Sequence, residues 1–232
     1  MTETTHHTSE LVTGMAAALG VTIDPNMARI DPEEDTRKRV LAARTELWNR
    51  LCPSNMKESD WQHPRLAPYR TQINKVLGWQ ATPGGKGLLL VGPTGRGKTR
   101  SLWALMKRLM CEESRDVGYW NAIDWFSALG RNLNYGRDDA AGFVRSCAKR
   151  PILVIDDLGQ EAVVQSRESW AQSWLFSLLD ERLSEGRHTL ITTNLSADQI
   201  AGTKDRDCIR GEPLVRRLLE LCEVTRFELF PK

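Results

Sequence analysis

The 232-residue sequence predicts an α/β fold, a parallel sheet flanked by helices with a small helical region in front of it. Three observations lead there. The runs LLLV (Leu88–Val91) and ILVI (Ile152–Ile155) are apolar without alternation, as strands buried on both faces are. Such runs take turns with helical stretches along the chain, the order of a layered α/β domain. Residues 92–99 read GPTGRGKT, a glycine-rich turn set between the first run and a helix.

The elements follow in order. Residues 1–10 are polar and read as a tail, and 11–19 as a short helix closed by Gly20. Asp31-Pro32 offers a helix start, with acids in the first turn. Val40, Leu41, Leu47, Trp48 and Leu51 are expected to form one apolar stripe, and Cys52-Pro53 to end the helix. Residues 1–54 thus make a tail and a helical region suited to docking a partner, and 55–232 the core. In the core, Pro68–Trp79 reads as a helix, Leu88–Val91 as a strand and Lys98 to about Cys111 as a helix. Val117–Trp120 and Ile152–Ile155 read as strands. Glu168–Leu183 is a helix with Trp170, Trp174, Leu178 and Leu179 inward. His188–Thr193 is a strand, Pro213–Cys222 a helix and Val224–Leu229 a last strand. Right-handed crossovers would put every strand's C-terminal end on one edge, and with them the glycine-rich loop, Asp156 and Asn194.

Composition excludes several classes. Net charge is +2, so a nucleic-acid surface would have to come from local clustering. Five cysteines without a C-x-x-C pair give no zinc or redox motif and suit a reducing cytosol, so a cytoplasmic protein is expected. The N-terminus lacks the apolar stretch of a secretory signal, and no run approaches a membrane span. His6 and His7 read as part of the tail rather than as metal ligands.

GPTGRGKT fits G-x-x-x-x-G-K-[ST], the P-loop. Gly92, Pro93, Thr94, Gly95, Arg96, Gly97, Lys98 and Thr99 are the candidate phosphate-binding residues. Glycines let backbone N–H groups turn toward phosphate oxygens at a helix N-terminus. Lys98 can reach the β- and γ-phosphates, and Thr99 can ligate Mg2+ through its hydroxyl. In PILVIDDLG (151–159) a buried strand ends in two acids. Asp156 can hold Mg2+, and Asp157 can orient or deprotonate an attacking water. TLITTN (189–194) ends in Asn194, whose amide could hold that water or touch the γ-phosphate. In GEPLVRRLLELC (211–222) Arg216 points outward and Arg217 lies at the edge of the apolar face, and either could reach a neighbouring subunit's nucleotide. A guanine-specific switch would need N-K-x-D. Asn74-Lys75-Val76-Leu77 lacks the acid and precedes the P-loop.

Taken together, GPTGRGKT, ILVIDDLG, LITTNLS and the GE-x-L-x-x-RL helix resemble the AAA+ ATPases of the DnaC/IstB type, over roughly residues 50–232. The resemblance implies Walker A at Gly92–Thr99, Walker B at Asp156 and Asp157, sensor 1 at Asn194 and an arginine finger at Arg217. It also implies ATP and Mg2+ as cofactors and a homo-oligomer when ATP is bound. The activity implied is ATP hydrolysis, slow and stimulated by DNA or a partner. Such a protein loads a DnaB-type replicative helicase onto single-stranded DNA, or assists a transposase. A nucleotide-gated module with little turnover is the third reading. The chain departs from most AAA+ proteins in having Asp157 where a glutamate is usual, and it leaves no room for a C-terminal helical lid. Trp61, in the linker with which such cores begin, could stack on adenine.

Residues 131–150 carry Arg131, Arg137, Arg145, Lys149 and Arg150 with Tyr135 and Phe143 interleaved. Backbone neutralisation plus base stacking holds single strands without sequence preference, so these are candidate DNA contacts. A solvated helical surface with two core aromatics is the other reading.

Overall fold

The computed structural model describes residues 32–57, 64–159, 168–196 and 211–228. The expected helix at 11–19 and Trp61 lie outside them. The chain divides into two units, up to Val40 and from Leu41 onward.

Helix α1 (Pro32–Leu51) starts at its proline with Glu33, Glu34 and Asp35 in the first turn, where acids complement the helix dipole. Up to Val40 its surface is laced by i,i+4 pairs, Glu34–Lys38 at 2.7 Å and Asp35–Arg39 at 2.8 Å. The expected apolar stripe is only partly realised. Trp48 is buried, but Val40 is 39% and Leu51 37% exposed. At 3.6 residues per turn, Leu41, Thr45 and Trp48 share a face, and Val40 and Leu51 lie roughly a quarter-turn away from it. The face is therefore centred on Trp48 and Thr45.

Ser54–Lys57 forms one turn, α2. Pro64–Tyr69 is a 3-10 segment that leads into α3 (Arg70–Leu77). The helix expected from Pro68 thus begins two residues later, after the proline-containing turn.

Five parallel strands then form one sheet: β1 (Gly87–Val91), β2 (Val117–Asn121), β3 (Ile152–Leu158), β4 (His188–Thr193) and β5 (Cys222–Arg226), in the order β2-β3-β4-β1-β5. The intervening helices are α4 (Lys98–Lys107), α5 (Ala122–Tyr135), α6 (Arg137–Ala148), α7 (Glu168–Ser184) and α8 (Gly211–Leu221). α4 runs on through a π-turn, Arg108–Glu112. β1, β3 and β4 are buried along nearly their whole length, as unalternating apolar runs require. Two cores result. One holds Leu88, Leu90, Leu102, Trp103 and Met106. The other holds Leu89, Ile155, Leu178, Leu179 and Leu218.

Two boundaries differ from expectation. β5 starts at Cys222, because α8 ends at Leu221 and the chain pairs at once, Gly87 with Cys222 and Val91 with Arg226. β3 continues to Leu158, so both acids lie within a paired strand and not past its end.

At the sheet edge away from the P-loop, the guanidinium of Arg182 on α7 is fully buried. It donates to Thr189 Oγ1 (2.9 Å), to the carbonyls of Cys147 (3.3 Å), Ala148 (2.9 Å) and Arg150 (2.7 Å), and to that of His188. It ties the end of α6 to the start of β4. Burial lowers its pKa to about 9, which leaves it charged at neutral pH.

Candidate functional site at the sheet edge

The loop between β1 and α4 is shaped by glycine. Gly97 caps α4 with φ at +95°, where L-residues with side chains are strained. A Cβ there would meet Leu66 Cδ2 at 2.9 Å, and one on Gly92 would meet the carbonyl oxygen of Phe227 at 2.7 Å. Arg96 lies over the ring of buried Tyr69, 5.4 Å from its centroid, so the loop rests on the 64–69 segment. The N–H groups of the first turn of α4 have no intrahelical acceptors and carry the positive end of the helix dipole.

Lys98, the first residue of α4, is 4% exposed. Its Nζ donates to the carbonyls of Gly92 (2.5 Å) and Pro93 (2.9 Å) and to Asn194 Oδ1 (2.8 Å). All three ammonium protons are thereby directed. Burial pulls its pKa down, and the carboxylates of Asp157 and Asp156 push it back up. Asn194 follows β4, the strand next to β1, so strand order alone brings it to the lysine.

Asp156 sits on β3, 2% exposed. Its Oδ1 accepts from Thr99 Oγ1 (3.1 Å) and Thr192 Oγ1 (2.5 Å), and its Oδ2 from Tyr119 OH (3.2 Å). Asp157 follows with φ at +58°, a left-handed conformation that Asp and Asn tolerate better than most residues. Ile155 faces Ile191 and Leu158 faces Thr193, so β3 carries one extra residue here, a bulge. Burial, then the neighbouring Asp156 charge, raise the pKa of Asp157, against the pull of Lys98.

These residues fit a nucleoside triphosphate with Mg2+. The turned glycine loop at a helix N-terminus, beside a buried ammonium, is a phosphate cradle. Thr99 and Asp156 offer two hard oxygens that already meet, the donor type Mg2+ takes. Thr99 spends its proton on Asp156 and keeps its lone pairs for a metal.

Comparison with known proteins gives the family. Residues 29–228 match the family described as IstB-like ATP binding protein. The chain belongs to the IstB-like ATP-binding family. Its architecture is that of a DnaC/IstB-type AAA+ protein. It is 24% identical over 188 residues to the replicative helicase loader DnaI of Bacillus subtilis (strain 168), covering 77% of this chain and 58% of that protein. It therefore spans somewhat more than half the length of this curated relative. The crystal structure of the DnaC helicase loader is similar at 25% identity and a TM-score of 0.51, over 82% of this chain and 99% of that one. Domain III of the Thermotoga maritima replication initiation protein DnaA shares the fold at 20% identity and a TM-score of 0.54, over 71% of this chain and 63% of that one.

In this IstB-like chain the two candidate finger arginines differ sharply. Arg217 is held within its own chain, to Asp180 (2.7 Å) on α7 and Glu220 (2.8 Å), with Phe176 under its guanidinium. Arg216 is 73% exposed and pairs with Glu220 at 3.2 Å. Both line a surface pocket of about 230 Å³ with Phe176 and Pro213.

The five basic candidates all lie exposed, but they do not form one cluster. Arg131 sits on α5, Arg137 and Arg145 on α6, and Lys149 and Arg150 just past the end of α6; the sequence reading did not separate these two helices. Asn121 caps α5 through Ile123 N (3.0 Å). Arg131 and Arg137 flank Tyr135, which is 84% exposed at the turn between the helices. Arg145, Lys149 and Arg150 lie toward the far end of α6, which is about 18 Å long at 1.5 Å per residue. Arg150 pairs there with Asp116 at 3.0 Å. Phe143 is half-buried and packs against the core, edge-on to Trp120 at 5.4 Å.

Sequence reasoning passed over Thr192 and Tyr119. A threonine run in a buried strand was the available signal for the first, since a buried hydroxyl needs a partner.

Proposed function

We propose that this chain hydrolyses ATP to load a DnaB-type replicative helicase onto single-stranded DNA. One observation carries the hydrolytic part: Lys98, Thr99, Asp156 and Asn194, from three separate stretches of chain, are joined by direct hydrogen bonds at one sheet edge. The partner is read from the likeness to DnaI and DnaC, both described as helicase loaders.

ATP bound with Mg2+ supplies the transferable γ-phosphoryl group. Within Gly92–Thr99 the backbone N–H groups from Thr94 onward hold the phosphates, Pro93 having none and Gly92 giving its own to Thr193 O (3.3 Å), and Lys98 exchanges carbonyl partners for phosphate oxygens. Thr99 and Asp156 hold Mg2+. Asp157 orients the attacking water and draws its proton, and Asn194 fixes that water's position. Arg217 or Arg216 of a neighbouring copy stabilises the developing charge. For Arg217 to do so it must leave Asp180 and Glu220, whereas Arg216 has only Glu220 to release. Arg131, Arg137 and Tyr135 offer the DNA contacts with both charge and an exposed ring, and Arg145, Lys149 and Arg150 extend the backbone track. Residues 1–54 dock the partner and 55–232 form the ATPase core.

The match to the IstB-like family favours a second reading, delivery of target DNA to a transposase. The site chemistry is the same in both, and the partner differs.

The test is ATP turnover with and without single-stranded DNA, for wild type, Lys98→Ala and Arg217→Ala. Stimulation of wild type, two inactive variants, and activity regained on mixing them support a site shared between copies. Full activity of Arg217→Ala as a monomer, indifferent to DNA, sends the finger role to Arg216 if Arg216→Ala is inactive. If that variant is active too, the shared-site reading is lost. Helicase unwinding assays against transposition assays then separate the two partners.

A further inference from the structure

The two acids of this site share a hydrogen-bond partner. They are held from the neighbouring strand by one hydroxyl. Thr192 Oγ1 donates to Asp156 Oδ1 at 2.5 Å and accepts from the backbone N–H of Asp157 at 2.8 Å. A hydroxyl has one proton and two lone pairs, so both bonds can form at once. Thr192 is fully buried.

The location explains the need. At the bulge in β3 one extra residue breaks the ladder with β4 between Ile155 and Leu158. The ladder leaves the N–H of Asp157 without a carbonyl opposite, and a buried unpaired N–H costs about 1–3 kcal/mol. Thr192, between Ile191 and Thr193 on β4, accepts that N–H. Its own proton fixes the carboxylate of the preceding residue. One side chain therefore sets both the rotamer of Asp156 and the turned backbone of Asp157. Thr193 seals the same bulge beyond it, donating to Leu158 O at 2.6 Å.

Tyr119 completes the hold on Asp156 from the other side. It lies on β2, donates to Oδ2 at 3.2 Å, and packs against Trp103 of α4 with ring centroids 4.5 Å apart. The hydrogen bonds to Asp156 from Thr99, Thr192 and Tyr119 all come from hydroxyls, so its carboxylate is oriented by neutral donors.

We infer that Thr192 is a positioning residue that presents Asp156 to the metal and Asp157 to the water as one unit, with Tyr119 as its weaker counterpart on Asp156 alone. This rests on the ATPase reading above. It assigns a role that neither the P-loop nor the acids' own positions specify.

The test uses the full chain with Thr192→Val, Thr192→Ser and Tyr119→Phe. Affinity for a fluorescent ATP analogue is measured in EDTA and in Mg2+, beside kcat and KM. The expected result is that Thr192→Val keeps the EDTA affinity within about 3-fold of wild type, while losing about 10- to 100-fold in the affinity gained from Mg2+ and in kcat, as loss of groups orienting metal ligands does. Thr192→Ser restores most of both, because it keeps the hydroxyl. Tyr119→Phe loses part of the Mg2+ gain with a smaller fall in kcat, since Asp157 is untouched. Unchanged Mg2+ gain and kcat in Thr192→Val overturn the inference. So does an equal loss in Val and Ser, or a loss of EDTA affinity as large as the loss in Mg2+, either of which marks a fold defect. Wild type that binds no analogue overturns the nucleotide reading itself, and this inference with it.

Discussion

Asn194 accepts a hydrogen bond from Lys98 at 2.8 Å across 96 residues of sequence. The lysine opens α4 and the amide follows β4, and the bond exists because β4 lies beside β1 in the sheet. Replacing Asn194 by Ala leaves Lys98 its two carbonyl acceptors on Gly92 and Pro93. Nucleotide affinity is therefore expected to change by no more than about 3-fold, while turnover falls about 100-fold, the scale for losing one polar group at a reacting phosphoryl or acyl centre. Stopped-flow binding and phosphate release measure the two separately. A parallel loss in both would show that Asn194 serves the loop and not the reaction.

Asp157 should make the protein less stable at neutral pH than its amide would. Its folded pKa is raised above 3.8 by burial and by Asp156. Between 3.8 and the folded value the native state holds more protons than the unfolded one, so stability falls as pH rises through that window. Above it the cost is fully present. Asp157→Asn removes the charge and suits φ at +58°. The expected outcome is a melting temperature above wild type at pH 7, with the gain shrinking toward zero below about pH 3.8. Thermal melts across pH check it. A gain independent of pH would assign the effect to the backbone alone.

Arg182→Met should destabilise the domain by about 3 kcal/mol, since it strips several buried acceptors of a charged donor. Arg182→Lys should recover little, because an ammonium cannot reproduce the fork that spans Thr189, Ala148 and Arg150. Urea unfolding followed by tryptophan fluorescence reads both. A near-neutral Lys variant would mean that charge, not geometry, is what matters at this position.

Arg216 and Arg217 should separate by stability. Arg217 holds Asp180, Glu220 and the Phe176 ring, so Arg217→Ala is expected to lower the melting temperature. Arg216 is mostly solvent-exposed, and Arg216→Ala should melt as wild type does. Calorimetry of the two variants decides. If turnover is lost only in the variant whose stability is unchanged, Arg216 is the group that acts on the neighbour.

Much of the fold was legible because the strands are buried on both faces. LLLV and ILVI have no alternation to confuse with a surface strand, and β4 falls on the residues expected, His188–Thr193. The glycine loop was legible because GPTGRGKT encodes backbone shape directly. Boundaries that depend on pairing were not. β5 begins two residues before the apolar pattern suggests, and β3 runs three residues past it. α5 and α6 were hidden because their apolar residues are interleaved with arginines that the helices turn outward.

The sequence by itself determined the class of fold, the phosphate loop and the presence of two acids directly after a buried apolar run, since these are properties of local runs of residues. Only the tertiary structure decided how the acids are held. The hydroxyls of Thr192 and Tyr119 and the lysine's contact with Asn194 depend on which strands are neighbours and on one extra residue in β3. It likewise decided that Arg217 is bound to its own chain while Arg216 is exposed, because that contact lies between α7 and α8. Hydrogen bonds reach only about 3 Å, so groups far apart in sequence acquire their partners only when the chain has packed.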